Sequence, residues 1–108
     1  MQNNNILEQI QQVAEARKTA SAEKSYISSL YQQGTDKILQ KIGEEATETI
    51  LAAKSTDTEH LIKEIADLWF HSIVLLSHKD LKIDDVLQEL QQRFGLSGLD
   101  EKKQRKLL

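Results

Sequence analysis

Several residue types that commonly signal a structure or a chemistry are absent or rare in this chain. Its 108 residues include no Cys, no Pro and only four Gly, and aromatic residues make up 5%. Without Cys, disulfides, thiolate metal sites and cysteine nucleophiles are excluded. Gln, Glu, Leu and Lys are abundant, and these residues favour helices, whereas aromatic residues favour strands. The composition therefore predicts an all-α fold.

The charge balance and the hydropathy restrict the class of partner. The net charge is −3 and the pI is about 5.6. Nucleic-acid-binding proteins carry basic patches, so we expect no nucleic-acid partner. No stretch approaches the roughly 20 apolar residues of a membrane span, and the first ten residues lack the basic and apolar regions of a secretory signal. We expect a soluble cytoplasmic protein without membrane association, with one domain over residues 1–108.

Apolar spacing and capping residues predict five helices. They cover residues 6–18, Ser25 to Gly34, Thr35 or Asp36 to about Lys54, about Glu59 to Ser77, and Asp84 to Phe94. The expected N-caps are Ser25, Thr35 or Asp36, Asp57 (or Thr56) and Asp84. Short connections make neighbouring helices antiparallel, so the third and fourth helices should form a hairpin within an antiparallel helical bundle. The charged tail after Gly98 is expected to be a short helix or frayed.

The third helix carries three carboxylates and two ammonium groups on one sector. At about 100° per residue, Glu45 falls beside the apolar stripe that begins at Ile38. One interpretation is an exposed face with ion pairs four residues apart, such as Lys41–Glu45. The sector consists of Lys37, Lys41, Glu44, Glu45 and Glu48.

The fourth helix has a polar sector of Glu64, Asp67 and His71 in an otherwise apolar sequence. Such a helix is normally buried, and a carboxylate buried without a partner is costly. A divalent cation would resolve this, because hard cations such as Mg²⁺ take oxygen ligands. Glu-x-x-Glu opposite Glu-x-x-Asp would supply Glu45, Glu48, Glu64 and Asp67. A buried salt bridge from Asp67 to Lys41 is the structural alternative.

The residues around these acids suggest what the site would bind. Mg²⁺ usually keeps several waters and binds phosphates, so Lys37 and Lys41 beside it predict a polyphosphate substrate. His71, one turn after Asp67, is either a hydrogen-bonded core residue or a substrate contact. Trp69 and Phe70, which directly precede His71, are expected to lie in the core or in a dimer interface.

Two segments match a known motif. GEEATETILAA followed by EIADLWFHSIVLL resembles the all-α nucleotide pyrophosphatase superfamily, whose hallmark is Glu-Glu-x-x-Glu and then Glu-x-x-Asp. The flanking stretches ILEQIQQVAEARK, SYISSLYQQGTDKILQK and LSHKDLKIDDVLQELQQRFGLSGLDEK are similar to the phosphoribosyl-ATP pyrophosphatase family within it. This similarity covers about residues 6–105.

The resemblance implies Mg²⁺-dependent hydrolysis of phosphoribosyl-ATP to phosphoribosyl-AMP and pyrophosphate, the second step of histidine biosynthesis. It also implies a helical homodimer with sites at helix–helix contacts, and Mn²⁺ is expected to substitute for Mg²⁺. The implied site residues are Glu45, Glu48, Glu64 and Asp67 as metal ligands, Glu44 or Glu48 as catalytic base, and Lys37, Lys41, Ser25, Tyr26 and His71 as substrate-binding residues.

Two alternatives remain open at the level of the sequence. One is a house-cleaning (d)NTP pyrophosphatase with the same metal site. The other is a helical dimerisation module whose acidic face binds a basic partner, in which case Asp67 should pair with a Lys or Arg.

Overall fold

The computed structural model describes residues 6–23 and 25–95, and this part of the chain is helical without strands. The expected all-α fold is thereby confirmed, while the predicted tail after Gly98 lies outside the described residues. Among residues 6–23 and 25–95, each helix is either too short or too polar to span a bilayer. The helices are α1 (Ile6–Ala16), α2 (Tyr26–Gln33), α3 (Thr35–Ala53), α4 (Thr58–His78) and α5 (Ile83–Phe94), with a 3₁₀ turn (Arg17–Thr19) after α1.

Two of the expected helix caps are confirmed. The Ser25 hydroxyl oxygen accepts a hydrogen bond from the Ser28 backbone N–H at 3.3 Å. At the start of α4, the Asp57 carboxylate accepts from the His60 N–H at 3.1 Å. Each satisfies a backbone donor that the first helical turn leaves unpaired.

The cap expected at Asp84 is wrong. Helix α5 begins at Ile83, directly after Lys82, and Asp84 lies in its first turn. The Asp85 carboxylate instead reaches back and accepts a hydrogen bond from the Lys82 backbone N–H at 2.9 Å. An acid at the third helical position can satisfy this donor, so no cap at Asp84 is needed.

Helices α3 and α4 form the predicted antiparallel hairpin and share the most extensive contact of any helix pair. A short connection, residues 54–57, joins them. Helix α1 packs against α4, and α2 packs against α3. The core where these four helices meet consists of Ala14, Ile27, Leu30, Ile38 and Val74.

Helix α4 is not buried all round, contrary to what its composition predicts. Ile62 is 67% exposed, Trp69 is 57% exposed and Asp67 is also exposed. Only one side of α4 packs against α1 and α3, so the opposite side stays open in a single chain. Asp67 therefore needs no compensating cation in one chain alone, whereas Phe70 packs against the core as expected.

Gly34 joins α2 directly to α3, and its backbone has φ +93° and ψ 180°. Its N–H donates to the Leu30 carbonyl at 3.0 Å, which closes α2. Helix α3 then begins at Thr35 without a side-chain cap, so the caps expected at Thr35 or Asp36 are wrong. This region of backbone conformation is essentially restricted to glycine.

Substituting two glycines by alanine should therefore give effects of opposite sign. Gly34→Ala is expected to lower the free energy of unfolding by about 1–3 kcal/mol, because an added Cβ is strained at this φ even where space is open. Gly43→Ala, within α3, should raise it by about 0.5–1 kcal/mol, because a helix favours alanine. Urea denaturation of both variants measures this. A Gly34→Ala variant as stable as the wild type would contradict the assigned backbone conformation.

A polar network ties the end of α1 to the end of α4. The Lys18 ammonium lies 2.9 Å from an Asp80 carboxylate oxygen and 3.1 Å from Glu15, and the Ser77 hydroxyl donates to Glu15. The hydrogen bond from Ser77 lowers the pKa of Glu15, with Lys18 adding to the effect. The hydrogen bond from Lys18 likewise lowers the pKa of Asp80.

Lowered carboxyl pKa values make this network acid-sensitive. The stabilisation is present above the ordinary values of 4.5 for Glu15 and 3.8 for Asp80, and is lost as pH falls through the lower folded values. We expect the free energy of unfolding to fall between about pH 5 and pH 3, and Lys18→Met to reduce that slope. Denaturant titrations across this range measure it, with Lys54→Met as the control. Equal slopes in both variants would contradict the prediction.

Candidate active site

The three glutamates of α3 differ in their exposure, since one is buried against α4 and the other two face solvent. Glu45 is buried, at 6% exposed, as expected from its place beside the apolar stripe, whereas Glu44 and Glu48 are exposed. The predicted Lys41–Glu45 pair is absent. Lys41 instead lies 3.6 Å from Glu44, which also accepts a hydrogen bond from the Gln40 amide at 2.9 Å.

The buried Glu45 is paired with His71 of α4. The His71 Nδ1 lies 2.6 Å from Glu45 Oε1 and 3.1 Å from the Asp67 carbonyl oxygen. The other ring nitrogen, Nε2, lies 2.7 Å from the Tyr26 hydroxyl of α2. Of the two roles considered for His71, the structure supports the hydrogen-bonded core residue, and direct substrate contact by His71 stays a prediction.

Glu48 of α3 and Glu64 of α4 lie close enough together for one carboxylate to affect the other. Hydrogen bonding to Glu64 and then its negative charge raise the pKa of Glu48. Glu64 Oε2 lies 3.0 Å from His60 Nε2, while Glu64 Oε1 is buried without a hydrogen-bond partner. Two ionised carboxylates repel each other, so a proton or a cation between them would stabilise this arrangement.

Tyr26 and Lys41 lie close enough to each other and to the acidic residues of α3 and α4 for these groups to shift one another's pKa values. Burial raises the pKa of Tyr26, and the negative charges of Glu45 and Asp67 raise it further, against the opposing effect of Lys41. The pKa of Lys41 is also raised, first by Tyr26 and then by the nearby Glu44 and Glu45. The fold thus brings the predicted substrate-binding Tyr26 and Lys41 next to the predicted metal ligands.

The remaining predicted substrate-binding residues have different surroundings. Ser25 uses its hydroxyl oxygen to cap α2, and Lys37 is half-buried near Glu44, whose pKa its charge helps to lower. Their contacts with substrate stay predictions. Asp67 has no ion pair with a Lys or Arg among the described residues, so neither the Asp67–Lys41 salt bridge nor the pairing expected of a dimerisation module is formed there.

The four predicted metal ligands do not form a closed metal cage in this conformation. Within residues 6–23 and 25–95, no three His, Asp or Glu side chains converge on a point where they could hold an ion. The donor set nevertheless suits a hard cation, since it consists of carboxylate oxygens and includes the unpartnered, buried Glu64 Oε1. A shared ion would therefore require at least one of these four side chains to adopt a different rotamer.

Sequence reasoning missed the partners of two histidines. His60 precedes Glu64 by four residues, which places both on one face of α4, so helical spacing could have revealed that pair. His78 lies 2.9 Å from the Thr35 hydroxyl and stacks on Tyr31. No local signal could have revealed this second contact, because the partners come from different helices.

Comparison with known proteins identifies what the chain is similar to. The family model described as phosphoribosyl-ATP pyrophosphohydrolase matches residues 7–94, which include every candidate site residue. A phosphoribosyl-ATP pyrophosphatase of Hydrogenovibrio crunogenus is 54% identical over 106 residues, covering 94% of each chain. Proteins of the same name from Methylococcus capsulatus and Chromobacterium violaceum are 54% and 50% identical, over 94% of this chain and 97% and 94% of their own.

Proposed function

Because the chain belongs to the phosphoribosyl-ATP pyrophosphohydrolase family, we propose that it hydrolyses phosphoribosyl-ATP to phosphoribosyl-AMP and pyrophosphate with Mg²⁺. This reaction is the second step of histidine biosynthesis. The observation that carries the proposal is a carboxylate oxygen of Glu64, inside the doubled acidic motif, that is buried without a hydrogen-bond partner. A buried, unpartnered carboxylate oxygen beside a second carboxylate is the local arrangement that a bound cation would stabilise.

The ligands for the ion would come from both helices of the hairpin. Glu45 and Glu48 lie one turn apart on α3, and Glu64 and Asp67 lie one turn apart on α4. When bound, Mg²⁺ would neutralise negative charge on the polyphosphate oxygens. In this proposal Mn²⁺ substitutes for Mg²⁺, because it also accepts carboxylate ligands.

In this proposal Lys41 and Lys37 of α3 bind the phosphates of the substrate. Lys41 is partly exposed and pairs loosely with Glu44, at 3.6 Å, so its ammonium is accessible to a substrate oxygen. Lys37 lies one turn before it. Each ammonium acts on the phosphates as a point charge.

The attacking water needs a proton acceptor, and Glu44 is favoured over Glu48 for this role. Glu44 is exposed and is not one of the four proposed metal ligands, so its carboxylate stays accessible to a water; the hydrogen bond from Gln40 lowers its pKa, which keeps it ionised but makes it a weaker base. Glu48 is engaged with Glu64. Water attacks the α-phosphorus, the bond from that phosphorus to the bridging oxygen breaks, pyrophosphate leaves with that oxygen, and the proton of the water passes to Glu44.

A direct assay tests the proposed reaction. Purified protein is incubated with phosphoribosyl-ATP and Mg²⁺, and released pyrophosphate is measured beside a panel of dNTPs. Release from phosphoribosyl-ATP alone, abolished by EDTA, is the expected result. Release from dNTPs instead would favour the house-cleaning alternative. No release, together with no rise in melting temperature on adding Mg²⁺, would overturn the metal site and leave a dimerisation module.

We also infer that the chain forms a homodimer. Among the described residues, the open sides of α3, α4 and α5 carry large apolar side chains that the single chain leaves exposed. An apolar groove of about 480 Å³ lies between α1, α4 and α5. Exposed apolar surface of this extent commonly marks an association site. The exposed side chains are Ile50, Leu51, Ile62, Trp69, Val86, Leu87 and Leu90.

A further inference from the structure

The His71 ring lies at the junction of α2, α3 and α4 and contacts a residue of each. It is 4% exposed, and its partners are Glu45 at 2.6 Å, the Asp67 carbonyl at 3.1 Å and the Tyr26 hydroxyl at 2.7 Å. The edge of the ring also packs against Phe70, with ring centroids 4.9 Å apart. A side chain so enclosed holds its partners in place more readily than it reaches a ligand.

The partners of His71 determine where its protons lie. Both groups near Nδ1, the Glu45 carboxylate and the Asp67 carbonyl, only accept hydrogen bonds, so Nδ1 carries the proton. In the neutral imidazole with its proton on Nδ1, Nε2 is an acceptor, so the Tyr26 hydroxyl donates a hydrogen bond to it. The Tyr26 oxygen consequently offers a lone pair, and not a proton, to any further partner.

Tyr26 is held at the edge of the site by contacts on two sides. Its ring stacks on Phe70 at a centroid distance of 6.3 Å and an angle of 22°. The residue is 51% exposed, and Lys41 and Asp67 lie close enough to shift its pKa. An anchored, half-exposed hydroxyl in this position can contact a ligand that the acids and Lys41 bind.

We propose that Glu45, His71 and Tyr26 form a hydrogen-bonded relay in which His71 is a positioning residue. Its Nδ1–H orients the Glu45 carboxylate towards the metal, and its Nε2 fixes the Tyr26 oxygen as an acceptor for a sugar hydroxyl of the substrate. Phosphate oxygens only accept hydrogen bonds, so the relay directs them to Lys41 and the metal. The ligand side of this proposal rests on the proposed function, whereas the relay itself is a property of the apo protein.

Amide substitutions at His71 can separate its hydrogen bond to Glu45, the Glu45 arm of the relay, from its hydrogen bond with Tyr26, the Tyr26 arm. In His71→Asn the amide N–H₂ lies near the position of Nδ1, so it keeps a donor for Glu45 and loses Tyr26. In His71→Gln the amide lies near Nε2, so it keeps a partner for Tyr26 and loses Glu45. Tyr26→Phe removes the hydroxyl and retains the ring on Phe70. His78→Gln, at the far end of α4, is the matched control for replacing a histidine.

Mn²⁺ binding in the absence of substrate tests the Glu45 arm. His71→Gln should weaken Mn²⁺ binding by about 10–100-fold, the usual effect of losing a group that orients a ligand. His71→Asn and the control should bind Mn²⁺ like the wild type. Equal affinities for His71→Asn and His71→Gln, or no Mn²⁺ binding by the wild type, would overturn this arm. The result does not depend on which nucleotide is hydrolysed.

Kinetics test the Tyr26 arm. Tyr26→Phe and His71→Asn should each raise KM for phosphoribosyl-ATP by about 10-fold, and the double variant should be no worse than His71→Asn. Inhibition by inorganic pyrophosphate, which has no sugar hydroxyl, should be unchanged. An unchanged KM in Tyr26→Phe, or an equal loss of pyrophosphate binding, would overturn this arm.

Imidazole ¹⁵N NMR tests the relay without any ligand. The spectrum of the apo protein should show His71 protonated at Nδ1 and unprotonated at Nε2 at neutral pH. A proton on Nε2 would overturn the acceptor role of Tyr26. If the wild type failed to hydrolyse phosphoribosyl-ATP, the proposed function would fall, while the NMR and Mn²⁺ results would still decide the relay.

Discussion

Replacing Glu48 by glutamine should reduce turnover of phosphoribosyl-ATP by at least about 10³-fold, because it removes a charged metal ligand next to the reacting phosphates. The substitution preserves the shape of the side chain. Glu48 is exposed and contributes nothing to the apolar core, so helicity should be unchanged. Initial rates at saturating Mg²⁺, together with circular dichroism, measure both effects.

Glu48→Gln should also change how the stability of the metal-free protein depends on pH. A raised carboxyl pKa means that the stability contribution of Glu48 is fully present below its ordinary value of 4.5 and is lost as pH rises through the higher folded value. Glutamine carries no charge to repel Glu64, so apo Glu48→Gln should lose less stability over this rise than the wild type. It should also lose the stabilisation by Mg²⁺ that binding to the folded state provides.

A matched substitution separates these effects from a general change in charge. Glu89 lies on α5 and pairs with Arg93 at 2.9 Å on the surface. Glu89→Gln should leave turnover and the response to Mg²⁺ unchanged and should alter stability by at most about 1 kcal/mol. Wild-type turnover in Glu48→Gln would show that Glu48 is not part of the active site. An equal loss of turnover in Glu48→Gln and Glu89→Gln would show that the effect is not specific to Glu48.

The features that follow from helical periodicity could be predicted from the sequence. Burial of Glu45 beside Ile38 depends only on the angular spacing within α3, which is a local property. The α3–α4 hairpin follows in the same way from a short connection between two long helices. The caps at Ser25 and Asp57 likewise depend on neighbouring residues.

The features that depend on contacts between helices could not be predicted. His71 pairs with Glu45 and Tyr26, which are 26 and 45 residues away in the sequence. Glu45 is thereby engaged, and Lys41 pairs with Glu44 instead. The spacing within α3 allows Lys41 to pair with either Glu44 or Glu45. Because His71 of α4 binds Glu45, Lys41 pairs with Glu44.

The open side of α4 shows a further limit of sequence reasoning. An apolar composition predicts burial, yet it does not specify whether the same chain or a second copy covers the helix. In the single chain, Ile62 and Trp69 are more than half exposed, and so the surface that composition predicts to be buried remains available for association.

Trp69→Glu should therefore prevent dimer formation. A large aromatic side chain near the centre of an interface commonly contributes 2 kcal/mol or more, and an unpaired carboxylate there adds a desolvation cost, so we expect the dissociation constant to rise by at least about 100-fold. Sedimentation velocity over a dilution series measures this. The melting temperature of the wild type should also rise with protein concentration, and that of the variant should not.

A second apolar-to-acid substitution provides the control. Leu81, in the turn between α4 and α5, is 48% exposed, but the other residues that line its groove are polar or charged, among them Gln11, Glu15 and Asp80. Leu81→Glu should remain a dimer. A wild type that sediments as a monomer at micromolar concentration would contradict the homodimer. A Trp69→Glu monomer that binds Mn²⁺ normally but loses turnover would mean that one chain holds the metal while the second completes the substrate site.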